Sequence, residues 1–153
     1  MSQIVIRPAQ EADAAALATL AAEFTGLLPT PEQMQARLQR SHGIEHPLVA
    51  ELEGKVVGFA SLRLLHYLGE DVPYAEITEL FVTQSYRRQG IARALMTEME
   101  ALAQAADATG LTVLADPDNA AALSVYRSAG FETFAIGLQK WFSAERPYQE
   151  NAA

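Results

Sequence analysis

The run Arg87-Arg88-Gln89-Gly90-Ile91-Ala92 places two cations, a glycine and a small residue where the chain passes from strand-like to helical patterning. An apolar segment ending at Val82 precedes it, and an amphipathic stretch from Gly90 to Ala108 follows. The first turn of a helix carries backbone N–H groups without intrahelical acceptors, together with the positive end of the helix dipole. Gly90 lets an anion approach the backbone with no Cβ in the way, and Ala92 is small for the same reason. Arg87 and Arg88 add positive charge. These residues suit a cradle for a pyrophosphate; a solvated basic turn is the plainer alternative. The spacing is not a dinucleotide fingerprint, which needs further glycines in a parallel βαβ unit. Nor is it a P-loop, because no Gly-Lys-Ser/Thr follows.

The elements that must position this loop follow from periodicity and breakers. Ile4 to Arg7 is a short β-branched strand ended by Pro8. Asp13 to Phe24 has Leu17, Leu20, Ala21 and Phe24 at helical spacing, and Gly26 and Pro29 stop it. Thr30-Pro31-Glu32-Gln33 reads as an N-cap followed by a proline at the first helical position, so a second helix runs to Gln39 or Arg40. Pro47–Leu52 and Val56–Leu65 form a hairpin around Glu53-Gly54-Lys55. His66 to Pro73 is a loop, and Ala75 to Val82 is a strand. In the helix from Gly90, the residues Ile91, Leu95, Met99, Leu102 and Ala106 form the apolar stripe, and Gly110 closes it. Leu111 to Ala115 reads as a buried strand. Asn119 to Ala129 is a helix, Phe131 to Phe142 holds one or two closing strands, and the tail from Ser143 is polar and loosely held. The order β-α-α-β-β-β-α-β-α-β lacks strict alternation, so the α/β (α+β) fold has a mixed, mostly antiparallel sheet flanked by helices.

The 153 residues suit one domain, 1–153, with a core over about 3–142. There are no cysteines, which excludes disulfides, thiolate metal sites and a cysteine nucleophile. His42, His46 and His66 have no ligand spacing, so no metal is expected. The net charge of −8 disfavours nucleic-acid backbones and favours small cations. The sequence up to Arg7 is not a signal peptide, and no run spans a bilayer, so a cytoplasmic protein with no membrane partner is expected.

Arg87-x-x-Gly90-x-Ala92, after a strand ending Leu80-Phe81-Val82, resembles the acetyl-CoA signature of the GNAT superfamily of N-acetyltransferases. A second stretch, Asn119-Ala120-Ala121-Ala122-Leu123-Ser124-Val125-Tyr126-Arg127-Ser128-Ala129-Gly130-Phe131, is similar to that family's Asn-x-x-Ala-x-x-Leu/Val-Tyr-x-x-x-Gly-Phe. It begins 29 residues after Gly90 and follows a strand, as in the family. The resemblance implies a fold with two central parallel strands that splay apart, holding acetyl-CoA between them. It also implies that the backbone of Leu80 to Val82 hydrogen-bonds the pantetheine arm. Residues Arg87, Arg88, Gln89, Gly90, Ile91 and Ala92 would take the pyrophosphate, Asn119 the pantetheine or its phosphate end, and Tyr126 would stand near the thioester sulfur. A homodimer is a further expectation. The stretch Tyr86 to Ala92 also looks close to that of aminoglycoside 3-N-acetyltransferases.

The chemistry so implied is acetyl transfer to a primary amine of a small cationic molecule or of a peptide or protein, by direct attack. A primary alkyl amine has a pKa of about 10, so something must accept its proton. The oxyanion needs an N–H donor, for which Leu80 is the candidate. Tyr126 matches the family's general acid for the departing thiolate. Glu79 and Glu76 are the candidate bases, Glu79 preferred. Strict alternation sets them on opposite faces, and a bulge would change that. Where the ribosomal-protein acetylating branch has a glutamate before Asn119, this chain has Leu114. The alternative reading is a non-catalytic acyl-CoA-binding sensor or scaffold.

Overall fold

Glu53 and Gly54 have φ of 52° and 75°, the paired left-handed positions that a two-residue hairpin turn demands. They join β2 (Glu45–Leu52) to β3 (Lys55–Leu65) in a computed structural model that describes residues 3–143. β1 (Ile4–Pro8) pairs antiparallel with β2, and β4 (Tyr74–Val82) pairs antiparallel with β3. β5 (Leu111–Val113) pairs parallel with β4, so the sheet order is β1-β2-β3-β4-β5. The sheet is mixed and mostly antiparallel, as expected.

Helices cover both faces. α1 (Ala14–Thr25) and α2 (Pro31–Ser41) pack on one. Thr30 caps α2 with a reciprocal box: its hydroxyl accepts from the Gln33 amide, and the Gln33 side chain accepts from the Thr30 amide. Leu17 and Phe24 of α1 meet Val49, Phe59 and Phe81 of the sheet. The Phe24 and Phe81 rings lie 5.1 Å apart. On the other face α3 (Ile91–Ala105) buries Ile91, Leu95, Met96, Met99 and Ala103 against Leu62, Ile77, Leu80 and Val82. Last comes α4 (Ala120–Ser128). No helix among the described residues is long and apolar enough to cross a membrane.

The structure departs from the sequence expectations in four places. α3 ends at Ala105, and Asp107, not Gly110, takes the left-handed conformation after it, at φ 56°. Gly110 is small for another reason: a Cβ there would stand 2.7 Å from the Tyr74 hydroxyl. The stripe of α3 buries Met96 and Ala103, while Leu102 and Ala106 are only half-buried. β5 is half-buried, stops at Val113 and, among the described residues, is the edge of the sheet, so within them the parallel pair is not central. No strand forms over 131–143 among the described residues. Phe134, Ile136 and Leu138 alternate as a strand would, but a strand needs a hydrogen-bonded partner. These side chains are instead exposed, Leu138 at 95%. The polar tail beyond Ser143 lies outside the described residues.

Candidate active site

β4 does not alternate strictly. Ser61 pairs with Glu79 and Leu62 with Ile77, which leaves Thr78 as an extra residue in β4. Ala75 and Ile77 enter the α3 core before this bulge, and Leu80 and Val82 enter the same core after it. The bulge thus puts Glu76 and Glu79 on one face, the α1–α2 face that Phe81 also occupies. This corrects the alternation rule, which separates them. The bulge is held by polar contacts. The Thr78 hydroxyl donates to Glu45 Oε2 at 2.9 Å, and the buried Ser61 hydroxyl donates to the same oxygen.

The two acids then differ in surroundings. Glu76 Oε1 accepts from Arg63 Nη2 at 2.8 Å, in an ion pair across the β3–β4 ladder. Glu79 is exposed and lines a cleft with Thr78, Leu80, Asn119, Ala122 and Tyr126. The cleft exists because β5 pairs with β4 only from Ala75 to Ile77. Beyond Ile77 the chains part, and Leu114 and Ala115 form the opposite wall with α4. Asn119 caps α4, its Oδ1 accepting from the Ala122 amide at 3.0 Å. That cap fixes the start of the helix carrying Tyr126, whose ring packs edge-on to Phe131 at 5.8 Å.

The loop after β4 turns sharply into α3. A 3-10 turn at Gln84–Tyr86 is pinned by Glu23 of α1, which accepts from the Thr83 hydroxyl at 2.6 Å and the Gln84 amide at 2.9 Å. Arg87 folds inward: its Nε donates to the Val82 carbonyl at 2.9 Å, and its guanidinium lies over the Phe81 ring. Arg88 and Gly90 take φ of 64° and 84°, and Gly90 is the N-cap of α3. Such left-handed positions turn successive N–H groups to one side. Among the described residues no backbone carbonyl accepts from the amides of Arg88, Gln89, Gly90, Ile91 or Ala92. A Cβ at Gly90 would meet nothing within 4 Å, so the space over it is open. The side chains of Phe81, Val82 and Ile91 are buried, which leaves only their backbone to a ligand. A pyrophosphate fits this cradle.

Several residues of the site carry no local signal. Glu45, Ser61 and Thr78 meet only because β2, β3 and β4 are neighbours, and Glu23 reaches its partners 60 and 61 residues away in sequence. A second cavity lies between α1, α2 and the sheet, and Glu79 lines it as well as the cleft. Among the described residues no cluster of three or more His, Asp or Glu is arranged to hold a metal.

Comparison with known proteins places these features in company. The profile described as the acetyltransferase (GNAT) family matches residues 14–131. The chain is 27% identical over 127 residues to the catalytic subunit ard1 of the N-terminal acetyltransferase A complex of Schizosaccharomyces pombe, covering 80% of this chain and 69% of that protein. It is 29% identical over 107 residues to the N-alpha-acetyltransferase daf-31 of Caenorhabditis elegans, covering 67% of this chain and 58% of the relative. An aminoglycoside N-acetyltransferase solved in complex with CoA superposes with a TM-score of 0.79 at 19% identity, over 94% of this chain and 97% of the other.

Proposed function

The chain belongs to the acetyltransferase (GNAT) family and is an N-acetyltransferase, and from that premise we propose how its residues divide the transfer of an acetyl group from acetyl-CoA to a primary amine. The observation that carries the reading is the continuity of β4. One strand supplies the cleft wall at Thr78 to Leu80 and leads into a loop whose unpaired amides suit a pyrophosphate. In the proposal the cofactor's phosphates lie on Arg88 to Ala92 beside Arg87, and its pantetheine runs along the open edge of β4 from Leu80 to Val82. Asn119 lies beside the arm, and Tyr126 faces the sulfur.

The ammonium of the acceptor loses its proton to Glu79, directly or through water. The free amine attacks the thioester carbon, and a C–N bond forms while the carbonyl becomes an oxyanion held by the Leu80 N–H. The C–S bond then breaks, and the leaving thiolate takes a proton from Tyr126. Tyr126 regains a proton as the new amide nitrogen gives up its own. The net products are the amide, CoA thiol and one proton. Glu76 is assigned to the Arg63 ion pair instead of to the base role, since that pair holds its carboxylate away from the cleft lining. Nothing observed favours a non-catalytic acyl-CoA module. The exposed apolar run Phe134, Ile136 and Leu138 supports the homodimer, which light scattering at micromolar concentration tests.

The test is acetyl transfer followed by mass spectrometry across a panel of peptide, polyamine and aminoglycoside acceptors, with Tyr126→Phe alongside. The expected result is an acetylated product, with kcat reduced about 10²-fold or more in Y126F and CoA affinity retained. Tight CoA binding with no acetylated amine of any class would overturn the reading.

A further inference from the structure

The second cavity is lined by charges of both signs. Glu79, which also lines the cleft, and Glu45 contribute carboxylates, and Arg37 and Arg40 of α2 contribute guanidinium groups. The lining between is largely apolar, including Leu17, Met34, Leu48 and Phe59. Arg37 and Arg40 are three apart and so share a helix face. The ion pairs among the described residues are Arg7–Asp13, Arg7–Glu51 and Arg63–Glu76, so neither α2 guanidinium has a carboxylate partner there. Both are exposed and line the cavity, where they offer forked donors for a carboxylate or phosphate.

We propose that the acceptor is a primary amine that also carries an anionic group, separated from the amine by an apolar span, with the amine at Glu79 and the anion at Arg37 and Arg40. The inference rests on the transfer reading above and narrows its acceptor. A polycation is disfavoured, because its distal charge meets two arginines. Peptides and amino-acid conjugates with a free α-amine and a distal carboxylate have the required form. One oxygen of Glu45 accepts from Ser61 and Thr78, which ties that carboxylate to the bulge.

Three acceptors that differ only in their far end test this. One is a tripeptide with a free α-amine, apolar side chains and a free C-terminal carboxylate. The second is its C-terminal amide, and the third its aminoethyl amide, which ends in a cation. The expected order of kcat/KM is acid, then amide, then cation, with about tenfold between the first two, as for one charge-assisted contact. The difference should lie in KM. In the double variant Arg37→Glu with Arg40→Glu the order should reverse, so that the cationic acceptor becomes the best substrate. That gain cannot come from misfolding. All three acceptors turning over equally in the wild type, or the same order in the double variant, overturns the inference and leaves acetyl transfer intact. No product from these or any other amine overturns the transfer reading itself, and the inference falls with it.

Discussion

Glu76 and Glu79 look alike in the sequence: two acids three residues apart on one strand, either able to accept a proton. The site separates them by neighbours. Glu76 is held by Arg63, and Glu79 stands at the wall shared by the cleft and the second cavity. Glu79→Gln is therefore expected to lower kcat by about 10²-fold or more and to remove the acidic limb of the pH–rate profile. Glu76→Gln should act on stability, because it leaves Arg63 without its carboxylate, and should change kcat far less. Equal losses of kcat in the two variants would contradict this division. Stopped-assay kinetics across pH, with thermal melts of both variants, make the comparison. The sequence reading named both acids but could not rank them by geometry. The deciding fact is the extra residue Thr78, whose hydroxyl partner, Glu45, lies 33 positions earlier on β2. A lone threonine in a β-rich run announces no bulge. Only the juxtaposition of three strands does.

At the level of elements, the passage from β4 to α3 was readable because it is local. A strand end, a glycine and a helix start are contiguous in sequence, and the structure forms them where the pattern sets them. Gly90 is the sharpest point of that agreement. Its φ of 84° is unfavourable for a side chain, by about 1–2 kcal/mol. Gly90→Ala should lose roughly that much stability by chemical denaturation. It should also weaken CoA binding, since the new Cβ would occupy the open space over the amides, and leave kcat at saturating CoA close to wild type. An unchanged affinity for CoA in a folded G90A protein would argue against phosphate contact at this turn. Glu23→Ala approaches the same loop from α1. It frees Thr83 and the Gln84 amide, so KM for acetyl-CoA should rise with little effect on the chemical step. Elements whose form depends on a neighbour were read less well. β5 ends at Val113 and lies at the sheet edge among the described residues, and the alternating residues after Phe131 form no strand among them. Hydrophobic period reports which side chains share a face, but a strand also requires a ladder.

At the scale of the whole molecule, the element order and two motifs were enough to anticipate a mixed sheet flanked by helices, while the contacts that tie distant segments were out of reach. The largest ionic example is Arg7. It donates to both carboxylate oxygens of Asp13 at 2.8 Å and also to Glu51, joining β1, the start of α1 and β2. Asp13 is 6% exposed, and its carboxylate accepts the Gln10 amide too. The hydrogen bonds from Arg7, and secondarily that amide, outweigh burial and hold the Asp13 carboxyl below its ordinary value of 3.8. The Arg7 guanidinium is correspondingly held more firmly protonated. A carboxyl whose pKa is lower folded than unfolded adds stability that is fully present above its unfolded value. That contribution disappears as pH falls from about 4 through the folded value. Protonating other surface acids of this −8 chain relieves mutual repulsion and works the other way, so the total acid slope mixes the two. Asp13→Asn isolates the first. The variant should be less stable at neutral pH by about 1–3 kcal/mol, the cost of a buried polar contact partly lost. The gap to wild type should narrow steadily below pH 4, as the wild-type carboxyl also loses its charge. Denaturant melts at pH 7, 5, 4 and 3 would show it, and a gap that stays constant over that range would mean that Asp13 is not held charged by Arg7 in the folded state.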